Sequence, residues 1–308
     1  MGAATTPERG FHAGERAVQQ RAGTLAQADR LARMVDEPDL RGGTGQFLAE
    51  RTFAALSARD TAGRLWVSPL TGTRGFLHPS DATTLQIGMV PAPGDPLRGL
   101  PADQPAGLIA IEFARRRRAR VNGTLVAAGP EGLTVEVDQA YGNCPQYIQQ
   151  RALEHDAETT PDDVPPTRTA VLSSADQALV RTADTLLLGT THPARGNDAS
   201  HRGGPAGFVR VADGRHLWWP DYPGNNMFNS FGNLAVDPAA ALLFVDFPAG
   251  RALHLSGTAR VEWEVSGAGD DGGTGRRVWF DVEAVVAGVR VPLHASDVEP
   301  YRRNPALT

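Results

Sequence analysis

The sequence predicts a mainly β fold with peripheral α, built as two related halves in tandem. Three observations carry this expectation. Short apolar runs alternate with turn residues along most of the chain. The 34 glycines and 23 prolines among 308 residues favour a turn-rich architecture over a helical one. The strand pattern of the first half also returns in the second.

Residues 1–10 read as disordered. From Glu15 to Val35, the positions Ala17, Ala22, Leu25, Ala28, Leu31, Ala32 and Val35 keep a helical spacing that Pro38 to Gly45 ends. Residues 1–45 are therefore expected to be an N-terminal helical extension. Residues 46–153 form the first half. Thr52–Ala58 and Arg64–Pro69 read as a hairpin around Asp60–Gly63, followed by short strands at 76–78 and 84–88. Gly107–Phe113, Ala119–Gly123 and Leu133–Val137 complete that set, and Pro145 is expected to open a short helix. The Asp, Glu, Thr and Pro-rich stretch near 154–170 is expected to be a linker. In the second half, 171–308, Ser174 and Gln177 suggest a capping box for a helix to Arg181. Strands are expected at 185–190, 208–211, 216–219, 241–247, 252–257, 259–264 and 277–285, with a loop at 267–275.

The repeat is visible in register. Gly107–Phe113 reads like Ala241–Phe247, and Phe113 and Phe247 stand 134 positions apart, as do Gly123 and Gly257. Phe76 and Phe208 stand 132 apart. Two matching halves can pack as two subunits of a symmetric dimer would, and ligands often bind at such interfaces.

Composition narrows the function. Net charge is -5, which argues against nucleic acid as the main partner. All 30 basic residues are arginine, so neither a lysine Schiff base nor a lysine-bearing phosphate loop can form. The single cysteine, Cys144, precludes an intramolecular disulfide. No signal peptide or membrane span is apparent, so the expected location is cytoplasmic. The histidines show no zinc spacing, and neither a nucleophile elbow nor a dinucleotide fingerprint is present.

The most specific run is His192-Pro193-Ala194-Arg195-Gly196-Asn197-Asp198-Ala199-Ser200-His201-Arg202-Gly203-Gly204-Pro205, followed by Gly207–Val211, Trp218–Asn226 and Asn229–Leu234. In this order the chain resembles the flavin-binding split barrels related to pyridoxamine 5'-phosphate oxidase. Phe11–Glu15 and Tyr141–Ile148 resemble segments of a flavin-nucleotide-binding branch of that superfamily. The resemblance implies two tandem split β-barrels of six antiparallel strands, forming a pseudo-dimer that holds FMN at an interface between barrels. It also implies a departure. Oxidase members carry an Arg-Lys pair where this chain has Asn229 and Ser230.

A flavin needs a phosphate clamp, a stacking face and hydrogen-bond partners for the ring. Arg202 and Arg210 are forked cations suited to phosphate, or else surface charges. Asn225, Asn226, Asn229 and Ser230 offer neutral hydrogen bonds, although Asn225-Asn226 also suits a turn. Trp219 is a stacking face or core, and of the adjacent Trp218 and Trp219 one faces each side if the segment is a strand. His201 is a candidate donor, and Ser200, Phe208 and Asp221 complete the candidate cofactor-binding set. Arg115–Arg118 reads as a solvated hairpin, a contact to flavin phosphate or an anionic substrate, or a nucleic-acid patch; Arg117 and Arg120 align with a basic strand of the family. Cys144, beside Pro145, is a structural thiol or a redox group.

Two functions stay open. One is an FMN-dependent oxidoreductase acting on an unidentified small molecule, with a nicotinamide as candidate electron donor and no catalytic side chain identified. The other is a non-catalytic protein that binds or stores flavin or haem. Pyridoxamine-phosphate oxidation itself is disfavoured by the tandem length and by Asn229 and Ser230. A homodimer is compatible with either function, whereas nucleic acid and membrane are not expected partners. The segment Gly94-Asp95-Pro96-Leu97 replaces the Asn-rich loop in the first half, so any site there is expected to be degenerate.

Overall fold

The computed structural model describes residues 10–35, 38–155, 165–295 and 297–308. The stretch expected to be disordered at 1–10 lies outside these residues except for Gly10, as does most of the linker, 156–164. Two antiparallel sheets dominate. In the first, β1 (Phe53–Arg59), β2 (Leu65–Thr71), β3 (Leu77–Pro79), β4 (Thr84–Ile87), β5 (Gln104–Glu112), β6 (Arg117–Gly129) and β7 (Gly132–Asn143) lie in the order β2-β1-β5-β6-β7-β4-β3. Short strands β8 (Glu154–His155) and β9 (Thr167–Thr169) flank the linker. The second sheet contains β10 (Thr185–His192), β11 (Gly196–Gly203), β12 (Arg210–Val211), β13 (His216–Pro220), β14 (Ala239–Asp246), β15 (Arg251–Trp263) and β16 (Arg276–Arg290). Its order is β11-β10-β14-β15-β16-β13-β12, with β9 added on β16, while β17 (Leu293–His294) pairs with β8.

The two orders are the same path, strand for strand. Neither sheet closes, so each is a split barrel with free edge strands, of seven and eight strands rather than the six expected. The repeat extends to irregularities. β6 shifts register between Asn122 and Gly123 and β15 between Ser256 and Gly257. A Cβ at Gly123 would collide with the Glu136 carbonyl, and one at Gly257 with that of Asp281, so the bulge accepts only glycine in both halves. The runs expected as separate strands at 252–257 and 259–264 are one strand, carried through this bulge.

The halves pack reciprocally. β2 lies against β10, β14 and β15, and β11 lies against β1, β5 and β6, as a twofold relation demands. Ser57 and Gly189, equivalent positions, meet at the crossing, where a Cβ on Gly189 would come within 2.6 Å of Ser57 Oγ. Strand alternation explains why these strands read as continuous apolar runs. Leu186 and Leu188 fill the second barrel's own core, whereas Leu187 between them joins the core shared with the first half. Leu242 and Phe244 likewise turn inward while Leu243 crosses the interface.

The helices are peripheral. The expected helix from Glu15 to Val35 divides into α1 (Ala13–Arg21), α2 (Leu25–Asp29) and a 3-10 turn (Ala32–Val35), because Gly23 adopts φ 69° between them. His12 and Glu15 form a reciprocal cap on α1. α3 (Gly43–Ala49) precedes the first sheet. α4 (Ser174–Thr182) is capped one position earlier than expected, by Ser173 with Asp176. α5 (Asn229–Leu234) packs on α1, with Gly14 set against the Gly232 carbonyl. No helix follows Pro145. Tyr147 is left-handed at φ 62°, and the Gln149 side chain binds Tyr147 O and Asn304, which holds the segment as a turn. Among the described residues no helix is long and apolar enough to cross a membrane.

If the interface and the barrel interiors form one core, Leu187→Ala is expected to lower the unfolding free energy by about 2–5 kcal/mol. Denaturant unfolding followed by both fluorescence and circular dichroism should then show one cooperative transition. Two separated transitions would show that the halves fold independently.

Candidate functional site

A pocket opens between the sheets. The first half contributes Arg118 and Arg120 from β6 and residues 143–147 beyond β7. The second contributes His201, Arg202 and Gly203 from β11, Trp219–Tyr222 at the end of β13, the loop Gly224–Phe228, the start of α5 and Arg276 from β16. Alternation along β6 turns Arg118 and Arg120 into the pocket and Arg117 away from it.

Two of the four guanidinium groups are neutralised. Arg120 Nη1 lies 2.9 Å from Asp198 Oδ1, and Arg276 Nε 2.9 Å from Asp221 Oδ2. Burial opposes the charge on Arg120, but Asp198 and Tyr141 hold its affinity for the proton above the ordinary value. Asp198 also accepts from Ser230 Oγ at 3.2 Å, and Ser230 meets Ser200 Oγ at 3.1 Å. Arg118 and Arg202 have no carboxylate within salt-bridge distance among the described residues. Arg118 touches His201 Nδ1 at 2.7 Å, and Arg202 sits over the Phe231 ring. Burial, together with Arg120 and Arg202, pulls the Arg118 guanidinium down to about 9.

His201 is held neutral, its pKa well below the ordinary value through burial and the arginines around it. Because Arg118 can only donate, Nδ1 of His201 must accept and the proton sits on Nε2. That Nε2 has no partner. Five more buried polar atoms on the same wall are also unpartnered: Nε of Arg120 and of Arg202, Asn143 Nδ2, Gln146 Oε1 and Tyr222 OH. Buried polar groups are ordinarily satisfied, so this concentration marks a place shaped for a polar ligand.

The loop carrying the asparagines is wound tightly. Asn226 and Phe228 are left-handed, at φ 62° and 57°. Asn225 Oδ1 accepts from Met227 N at 3.1 Å, which makes the turn, while its amide reaches Asn143 Oδ1 of the other half at 3.2 Å. Asn229 is oriented from outside the pocket: its amide donates to Glu15 of α1, and its Oδ1 lies 3.5 Å from Tyr141 OH. Burial pushes the Glu15 carboxyl up to about 7, against the opposing hydrogen bonds from His12 and Asn229.

Of the residues singled out in the sequence, His201, Arg202, Phe208, Trp219, Asp221, Asn225, Asn226, Asn229 and Ser230 line this pocket. Ser200 lies just behind, on Ser230. Arg210 does not belong there. Its guanidinium binds Asp271 at 3.1 Å and the Gly207 carbonyl and stacks on Trp218, on the opposite face of β13. Trp219 and Phe208 are both core and pocket floor, whereas Trp218 faces Trp279 outside. Cys144 is on the wall, half-buried. Asn143 and Gln146 fall in the Tyr141–Ile148 segment and Glu15 in Phe11–Glu15, whose resemblance marked the segments but not these side chains; nothing local in the sequence points to Arg276 or to the link from Glu15 to Asn229.

The twofold-related position is filled by the chain itself. His254 stands where Arg120 does in the repeat, Ser68 where Ser200 does, and Leu70 where Arg202 does. Ser68 Oγ donates to Asp95, His254 contacts Val67 O at 2.9 Å, and all of these side chains are buried.

Residues 172–268 match the pyridoxamine 5'-phosphate oxidase family. Over those residues the chain is similar to that family. No curated protein sequence matches it. Solved structures similar to one half include a proposed pyridoxamine 5'-phosphate oxidase from Lactobacillus delbrueckii, at 18% identity and TM-score 0.33, covering 39% of this chain and 97% of the other. A haem storage protein from Vibrio cholerae aligns at 14% identity and TM-score 0.27, over 37% and 92%. An F420 reductase aligns at 14% and 0.25, over 35% and 91%. The family match spans β10–β15, the region that supplies β11, β13 and α5 to the pocket wall; Arg118 and Arg120 lie outside it.

The buried Glu15 makes a pH dependence testable. Its protonated form is the one the fold prefers, so its stabilising contribution is complete below the ordinary carboxylate value and is lost as pH rises through about 7. His12, pulled down to about 4 by burial, acts oppositely at lower pH. Between about pH 4.5 and about pH 7 the parent is therefore expected to lose stability relative to Glu15→Gln, by up to about 3 kcal/mol in total. Parallel unfolding profiles for the two proteins would show that Glu15 stays ionised in the fold.

Proposed function

We propose that the chain binds FMN in this pocket, one molecule per chain, and serves as a flavin-dependent oxidoreductase on a small molecule. The observation that carries the reading is the pair Arg118 and Arg202: two buried cations with no ion-pair partner of their own, beside unpartnered donors, in a pocket whose second-half wall lies in the stretch similar to the oxidase family. Arg202 feels Asp221 and Asp198 only as carboxylates already paired with Arg276 and Arg120, so the two cations together suit a phosphate dianion. The Arg-Lys pair of oxidase members, replaced here by Asn229 and Ser230, then has a substitute, because Arg118 arrives from the other half. Trp219 and Phe208 supply apolar surface, and Asn225, Asn226, Asn229 and the Nε2–H of His201 supply polar contacts for the ring edge. When bound, the flavin provides the hydride or electron chemistry, and the chain's residues bind it and exclude water.

The haem alternative is less well supported. A histidine ligates iron through a free ring lone pair, and in His201 Arg118 occupies Nδ1 while the proton sits on Nε2.

The purified protein, incubated with excess FMN and desalted, is expected to retain a flavin spectrum at one FMN per chain. Arg118→Ala/Arg202→Ala is expected to lose about a hundredfold in affinity, roughly tenfold for each charge-assisted contact. A protein that keeps no flavin, or keeps two, or binds equally well after the double substitution, contradicts the proposal.

A further inference from the structure

Beside the pocket lies a second groove that the flavin reading leaves unused. It is bounded by Gly43, Thr44 and Phe47 of α3, the turn Arg115–Arg117, and Gly142 and Pro145. Arg118 and Asn143 line both cavities, so the two are continuous through them.

Its charge is unbalanced. The β5–β6 turn contains Arg116, which is left-handed at φ 52° and turns inward to Ile148 O, Gln150 and Glu299 O, where it ties down the C-terminal segment. That geometry throws Arg115 and Arg117 outward, with side chains 71% and 56% exposed. Their shared carboxylate is Glu112, 3.5 Å from Arg115 and 4.0 Å from Arg117. Glu112 is already engaged by the buried Arg51 at 2.8 Å. Arg51 is also paired with Glu50 at 3.1 Å, so two carboxylates face three guanidinium groups, Arg115 and Arg117 share only Glu112, and Arg118 is a fourth cation at the junction. Arg117 and Arg51 also share the Phe47 ring, at 5.0 and 4.2 Å, which fixes the rim. Space is open on both walls: a Cβ on Gly43 or Gly142 would touch nothing. At the junction the Asn143 amide is buried without an acceptor.

We infer that this groove is an anion subsite for a diphosphate-bearing ligand, held by Arg115 and Arg117 so that the rest of the molecule extends past Arg118 and Asn143 into the flavin pocket. The use of the flavin pocket rests on the reading above; the anion subsite itself does not. Forked guanidinium groups recognise phosphate oxygens in pairs, and a linked diphosphate matches two such cations on one rim better than a single carboxylate does.

The test is a titration of the full chain, with and without FMN, using inorganic pyrophosphate, ADP and NADPH as probes, on the parent and on Arg115→Ala/Arg117→Ala. These side chains are exposed and outside the flavin pocket, so the variant is expected to fold and to bind FMN as the parent does. The expected result is binding of all three probes, weakened at least about tenfold in the variant and by added salt. NADPH bound more tightly than ADP would support a dinucleotide whose nicotinamide reaches the flavin. Equal affinities would support another diphosphate ester as the occupant. Equal binding of pyrophosphate by parent and variant overturns the subsite, even where FMN binds. Loss of pyrophosphate binding in the variant supports the subsite, even where FMN fails to bind. A single-stranded oligonucleotide bound more tightly than pyrophosphate would overturn the small-ligand assignment.

Discussion

The ion pair between Arg120 and Asp198 is the contact on which the arrangement of the site depends. One residue comes from each half, the charges are 2.9 Å apart, and both side chains are almost wholly buried. Removing either partner of such a pair leaves an uncompensated charge at a cost of about 3–5 kcal/mol. Through Asp198 the pair fixes Ser230 and, behind it, Ser200. Through Arg120 it reaches Tyr141 and Asn229. The start of α5, the second sheet and the first sheet are thereby registered on one another at the pocket wall.

The same duplicated topology is put to two uses. The equivalent strands β11 and β2, each lying against the other half, mark two equivalent positions. One carries Arg120, Ser200 and Arg202 and stays open. The other carries His254, Ser68 and Leu70, with Asp95, all buried. One position is thus occupied by the chain's own side chains, with His254 Nε2 3.6 Å from Asp95 Oδ2. The open position can then keep polar atoms unpartnered, because the surrounding apolar core, shared across both halves, holds the shape. A tandem chain can differentiate its two sites in this way, which a dimer of identical subunits cannot.

The N-terminal helix belongs to this arrangement. Gly14 on Gly232 brings α1 near enough for Glu15 to meet Asn229, so a segment distant in sequence orients a pocket residue. The strained backbone at Asn226 and Phe228 lies in the loop between β13 and α5 and is secured at Asn143 of the other half.

Except for β11 (Gly196–Gly203), whose polar run lacks apolar alternation, the sequence by itself determined the long strands, the duplication and most of the second half's contribution to the pocket. Those features are local: alternation of apolar residues, glycines where a bulge excludes a Cβ, and the run from His192 to Asn233 that carries the family pattern. It left the helix boundaries displaced, because Gly23 and Ser173 act through backbone geometry and capping. It also assigned Arg210 to the site, since an arginine on a strand next to the motif reads alike whether its partner is a ligand or Asp271. Only the tertiary structure decided which arginines meet. Arg118 and Arg120 are separated from Arg202 by some eighty residues, and spacing along a chain does not specify how two halves dock. Whether a cation is neutralised depends on which carboxylates the packing brings to it, and that pairing is a property of the assembled interface.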